Sequence, residues 1–171
     1  TPRQPGELYL TTDKGERKAT GSYYTPDYIV EYIVANTLGP LVEQARQRVK
    51  AQVGPEPVEG LTDAVAAERQ RQSAGLFVQE ILALNVLDPA MGSGHFLVEA
   101  INFLARALAT DEYVTPTLAP SPSQGEGWGG GGGETDLLYW KRRVVEACIY
   151  GVDKNPMAVE LAKLSLWLKT A

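Results

Sequence analysis

The sequence predicts an α/β fold, a small parallel sheet covered by helices and preceded by a helical segment. Two short β-type runs, Val86-Leu87 and Ile149–Val152, each lead into an acidic residue, Asp88 and Asp153. Each is followed by apolar residues at helical spacing. The order strand–helix, then helix–strand–helix, alternates the two kinds of element, which favours parallel pairing with both faces covered.

Composition bounds the class. The chain has 171 residues, enough for one modest domain with a buried core. An apolar share of 44% with 22% charged residues is that of a globular chain, not a disordered one. No apolar run reaches the ~18 residues that a membrane span needs, and Thr1-Pro2-Arg3-Gln4 lacks the apolar stretch of a signal peptide. The single Cys148 excludes an internal disulfide and fits a reducing, cytoplasmic setting. A net charge of −5 argues against this stretch alone gripping DNA, because phosphate contacts need clustered Lys and Arg. It leaves open a DNA enzyme whose reading domain lies elsewhere in a longer chain. Both ends read as cut: there is no initiator Met, and Leu161 to Ala171 is a helix pattern without a stop signal.

The elements are taken in order. Residues 1–20 are polar and turn-rich, and their basic group of Lys14, Arg17 and Lys18 is of solvated-surface type. Thr25 as N-cap, Pro26 at the first helical position and Asp27 in the first turn predict a helix start. Ile29, Ile33, Val34, Leu38, Leu41 and Val42 predict its inner face, and Gly39-Pro40 predicts a break or kink, with a second piece toward Lys50. A Gly/Pro loop over 53–61 follows. A helix over about 61–84 comes next, with Ala64, Ala67, Leu76, Phe77, Ile81 and Leu82 on inner faces.

After the strand to Asp88 and the turn at Gly92-Ser93-Gly94, Phe96, Leu97, Ala100, Phe103, Leu104, Ala107 and Leu108 predict another helix. Residues 115–134 are rich in Pro and Gly and cannot bury enough apolar surface to offset their ordering entropy. A disordered insertion over about 111–135 is expected there. It is no phosphate loop, since no Lys-Ser/Thr pair follows and no strand precedes it. Asp136 to Cys148 predicts a helix and Ile149 to Val152 a strand. Asn155-Pro156 then repeats the cap-plus-proline start of a last helix filled by Ala158, Val159, Ala162, Leu164, Leu166 and Trp167.

Two constellations carry chemistry. The first is Asp88-Pro89-Ala90-Met91-Gly92-Ser93-Gly94-His95-Phe96. It lies at the carboxyl end of a strand, where open parallel sheets bind ligands. Glycine at 92 and 94 allows a sharp turn and close backbone approach to a ligand. Asp88 repels phosphate but favours a ligand with a sulfonium and an α-amino group. The second is Tyr150-Gly151-Val152-Asp153-Lys154-Asn155-Pro156. By itself Asp153 reads as a helix-start charge. Paired with the first constellation, it reads as the carboxylate that accepts both hydroxyls of a ribose. The two acids stand 65 residues apart, against about 20 in a minimal nucleotide-binding unit. The insertion and the extra helix before Ile149 account for the excess.

Gly21-Ser22-Tyr23-Tyr24-Thr25-Pro26, then DPAMGSGHFL, then YGVDKNPMAVELAKLSLWL resembles the amino-group DNA methyltransferases of the gamma arrangement. In these the Tyr-Thr-Pro segment precedes the glycine loop. The nearest likeness is to large single-chain restriction–modification enzymes and phage-defence methylases. It covers 19–42, 85–104 and 142–169.

The resemblance implies an incomplete Rossmann-like class I methyltransferase sheet. Residues 1–84 would form a helical segment bearing the Tyr-Thr-Pro motif, and 85–171 the first half of the S-adenosyl-L-methionine-binding domain. It implies that Tyr24, Thr25 and Pro26 touch the methionine part of the cofactor. Asp88, Pro89, Ala90, Gly92, Ser93 and Gly94 would line the amino-acid and ribose side. Asp153 would bind the ribose and Lys154 flank the adenine ring. His95, the sole histidine, falls at a variable spot of the loop. With no partner visible in the sequence to orient it, it reads as a loop residue packing near the cofactor and not as a base.

The family's Asn/Asp-Pro-Pro-aromatic segment, which holds the flipped adenine, is absent. The one Asn-Pro, Asn155-Pro156, continues as Met157-Ala158. No catalytic residue and no metal ligand is therefore assigned here, and double-stranded DNA would be met through parts beyond this stretch. The stretch alone is expected to bind cofactor weakly or not at all and to transfer no methyl group. Two other readings stay open: a methyltransferase of small molecules or proteins on the same sheet, and an inactive remnant.

Overall fold

The structure is a computed structural model and describes residues 25–54, 63–112, 114 and 134–171. These form α1 (Asp27–Val53), α2 (Asp63–Leu82), β1 (Val86–Asp88), α3 (His95–Thr110), α4 (Glu134–Cys148), β2 (Ile149–Gly151) and α5 (Pro156–Thr170). The architecture is mostly helical around a two-stranded parallel sheet, in register Val86 to Ile149, Leu87 to Tyr150 and Asp88 to Gly151. Tyr24, the basic group at 14–18 and the glycine-rich run at 129–133 lie outside the described residues.

α1 starts one residue later than expected. Pro26 takes the cap position without any side-chain cap bond, so Thr25 precedes the helix and does not cap it. The Pro26 carbonyl accepts the first helical bonds, from Ile29 N (3.0 Å) and Val30 N (3.2 Å). The expected break at Gly39-Pro40 does not occur, because α1 runs through Pro40 to Val53. The buried stripe Val30, Val34, Leu38, Val42, Ala45 and Val49 recurs every three or four residues on both sides of the proline. Pro40 and Asn36 lie on the opposite, exposed side, so the carbonyl that loses its partner can turn to water. The stripe also moves the inner face: Ile33 and Leu41, expected inside, are exposed.

α2 turns Ser73, Ala74, Phe77 and Ile81 inward, while Ala64 and Ala67 are exposed, contrary to the periodicity reading. Of these, Phe77 and Ile81, together with Ile101, Leu104, Leu108, Trp140, Val144 and Cys148, join the α1 stripe in one core. The helices of 27–82 therefore share a core with α3 and α4. Each fully buried aliphatic side chain there contributes about 1.5–3 kcal/mol of transfer free energy. Asp111, just past α3, is buried to 2% exposure, and its carboxylate accepts from Arg46 Nε at 2.9 Å. That bond ties α1 to the far end of α3, and the Arg46 guanidinium also stands 5.8 Å from the Phe77 ring centre. Cys148 is buried with its Sγ 3.5 Å from the Ile81 carbonyl, and burial pushes its thiol up to about 11.

The sheet sits on a smaller apolar cluster of Met91, Leu97 and Ala162, which brings in α5. α5 starts as expected: Asn155 caps it by accepting from Met157 N at 3.0 Å, with Pro156 in the first turn. Its inward face is narrower than expected, since Ala162 is buried while Leu164 and Trp167 are exposed. Among the described residues no helix is long and apolar enough to cross a membrane.

Candidate functional site

Parallel pairing of β1 with β2 puts both acidic residues at one end of the sheet. The ladder continues past the strands: Val152 N donates to the Asp88 carbonyl (2.9 Å) and Met91 N to the Val152 carbonyl (3.0 Å). The glycine loop thus leaves β1 and passes over the end of β2. There the Gly92 N–H donates to Asp153 Oδ2 at 2.9 Å, and Asn155 N–H to Asp153 Oδ1 at 2.8 Å. These two donors, first Asn155 and then Gly92, hold the Asp153 carboxyl below the usual carboxylate range, with the neighbouring Lys154 charge adding to the effect. Asp88 folds back on its own loop, with Oδ1 accepting from Ala90 N at 3.0 Å. Asp88, Ala90, Gly92, Asp153 and Lys154 therefore lie around one loop on one side of the sheet end.

The two loop glycines differ. Gly92 has φ +53°, and a Cβ there would meet nothing within 4 Å, so its bare Cα faces open space. Gly94 has φ +84°, and its missing Cβ points at Ala162, whose Cβ would lie 3.2 Å away. Gly94 is thus bare for the packing of α3 on α5, and only Gly92 shows the open approach expected of both. Pro89, Ala90 and Ser93 are exposed, Thr25 is half-buried and Pro26 is exposed.

A contact that sequence reading missed joins the Thr25-Pro26 segment to this loop. His95 Nε2, on the first residue of α3, lies 3.2 Å from Asp27 Oδ1, on the first residue of α1. The sequence showed both as helix starts, but nothing in either local pattern says that the two starts meet. Asp88 also lines, with Ile33, Thr37, Val86, Phe96 and Ala100, a largely apolar cavity of about 260 Å³.

A strand–glycine-turn–helix crossing beside a second strand, with a carboxylate beyond each strand, is the kind of place at which open parallel sheets bind ligands. The profile of the N-6 DNA methylase family matches residues 76–171, and the chain belongs to that family. It is 31% identical over 167 residues to a protein of Methanocaldococcus jannaschii whose name describes a type II restriction enzyme and methyltransferase. That alignment covers 94% of this chain and 13% of the relative. It is 24% identical over 172 residues to the adenine-specific methyltransferase PglX of Lacticaseibacillus casei, covering 94% of this chain and 12% of the relative. The chain therefore spans about an eighth of the length of these relatives. No solved structure matches it.

Proposed function

We propose that this chain supplies the S-adenosylmethionine-binding part of a DNA adenine-N6 methyltransferase, and that β1 and β2 belong to a Rossmann-like sheet. The observation that carries the reading is the meeting of Asp88, Asp153 and the bare Gly92 at one sheet end. The names of the relatives support DNA adenine as the methyl acceptor and a restriction–modification setting.

The residues present fit the cofactor. Open space over Gly92 admits a ligand close to backbone. Asp153 gives one lone pair of each oxygen to the loop and keeps acceptor capacity on both for two ribose hydroxyls. Two carboxylates at the strand tips suit a ligand carrying a sulfonium and an ammonium group. When bound, the cofactor supplies a methyl group on sulfonium sulfur, ready for attack by an amine nitrogen. The chain's own residues bind and orient: Asp153 fixes the ribose, Lys154 flanks the adenine ring, and Asp88 with Pro89, Ala90, Gly92 and Ser93 lines the amino-acid side. The Tyr24-Thr25-Pro26 segment meets the methionine end. The adenine-holding Asn/Asp-Pro-Pro-aromatic motif does not occur in these 171 residues, so double-stranded DNA is met elsewhere in the polypeptide.

Calorimetry with S-adenosylhomocysteine tests the reading, in the natural full-length polypeptide that carries this sequence. Wild type is expected to bind, and Asp153→Ala to weaken binding by about tenfold or more, the scale of lost hydrogen bonds to a charged group. Equal affinity of the two would remove the ribose assignment.

A further inference from the structure

We infer that His95 and Asp27 form a positioning pair that docks the Thr25-Pro26 end of α1 onto the glycine loop. The inference rests on the cofactor reading above and gives a role to two residues outside the strand tips. It starts from the 3.2 Å contact between Nε2 of His95 and Oδ1 of Asp27. Asp27 directly follows Thr25-Pro26, and His95 directly follows Gly92-Ser93-Gly94. The contact is therefore one residue removed from each of the two segments that would hold the cofactor.

Among the described residues, apolar packing does not reach this place. The buried stripe of α1 begins at Val30, while Pro26, Asp27 and Tyr28 are exposed. Core packing fixes the axis of α1 against α3 but not the lateral position of its first turn. The close approach of the imidazole to the Asp27 carboxylate supplies that. The imidazole is the better covered partner, its side chain 33% exposed against 70% for Asp27. At 3.2 Å the ring's Nε2 and the carboxylate oxygen are in polar contact, and an N–H on that nitrogen suits the acceptor. Asp27 stands in the first turn of α1, where a carboxylate is favoured, and α3 has no acidic residue in its own first turn. The pair thus governs the methionine end of the site and leaves the nucleoside end to Asp153.

That division makes the test. In the full-length polypeptide, His95→Phe, His95→Gln, Asp27→Ala and Asp153→Ala are titrated with two ligands. S-adenosylhomocysteine has the amino-acid end; 5′-methylthioadenosine has the nucleoside and lacks that end. His95→Phe and Asp27→Ala are expected to weaken S-adenosylhomocysteine about five- to tenfold, the scale of one ordinary polar contact, and to leave methylthioadenosine unchanged. His95→Gln keeps an N–H donor and should restore affinity to within about twofold. Asp153→Ala should weaken both ligands. In DNA methylation assays His95→Phe should raise the cofactor KM without lowering kcat. Equal loss of both ligands in His95→Phe, or no loss in either His95→Phe or Asp27→Ala, overturns the pairing role while a deficient Asp153→Ala leaves the cofactor reading standing. A wild type that binds neither ligand overturns both.

Discussion

The Asp153 carboxylate accepts from the backbone of Asn155 and of Gly92, and both donors favour its charged form. A carboxyl whose folded value lies below its unfolded value stabilises the fold above the unfolded value, near 3.9 for Asp, and loses that contribution as pH falls through the lowered folded value. Asp153→Asn puts an amide where two N–H groups need acceptors. Its melting temperature should therefore lie below wild type by a constant gap from about pH 7 to pH 5, and the gap should close as the pH drops below about 4. Circular dichroism melts carried on to pH 2.5 read it directly, and a gap undiminished at pH 2.5 would contradict the loop-holding role. The sequence showed Asp153 as a strand-end acid, which the pairing of β1 with β2 bears out in position. It could not show that the same acid clamps the glycine loop, because the contact with Gly92 joins residues 61 apart in the chain. The Asp27–His95 contact was hidden for the same reason.

Elements were legible where periodicity and caps agreed. Asn155-Pro156 marked the start of α5, and the two strands fell within a residue of their expected ends. Periodicity failed at α1, where Ile33 and Leu41 looked like core while Val30, Ala45 and Val49 provide it. The proline at 40 misled because local rules carry no knowledge of α3. Packing along the whole stripe outweighs the cost of one lost helical bond, about 3 kcal/mol with the steric strain included. Pro40→Ala tests that balance. With the helix already continuous and position 40 exposed, the variant regains a backbone donor and relieves the ring clash. It should gain about 1–3 kcal/mol in denaturant unfolding. An unchanged or lowered midpoint would mean that the helix at 36–40 is shaped for the proline.

At the scale of the molecule, apolar surface is distributed unevenly. The helical core around Ile101 and Leu104 is closed. The sheet and α5 present Leu87, Tyr150, Val152, Leu164, Trp167 and Leu168 to solvent, with Trp167 at 63% and Leu168 at 62% exposure. A two-stranded sheet has little surface of its own to cover, and here it leans on Met91, Leu97 and Ala162 from one side. Single exposed apolar residues are ordinary, but several on the sheet and along one helix leave more apolar surface to water than the closed core does. The 171-residue polypeptide is therefore expected to enhance the fluorescence of anilinonaphthalene sulfonate while giving the sharp near-ultraviolet dichroism of a packed core. Leu164→Lys combined with Trp167→Lys should reduce that fluorescence several-fold and shift stability by less than about 0.5 kcal/mol, as surface changes away from caps and cores do. Dye binding that the double variant leaves untouched, together with a flat near-ultraviolet spectrum, would place the exposed surface in a loosened core, not on α5. That outcome would also remove the rigid frame on which the meeting of Asp88 and Asp153 depends.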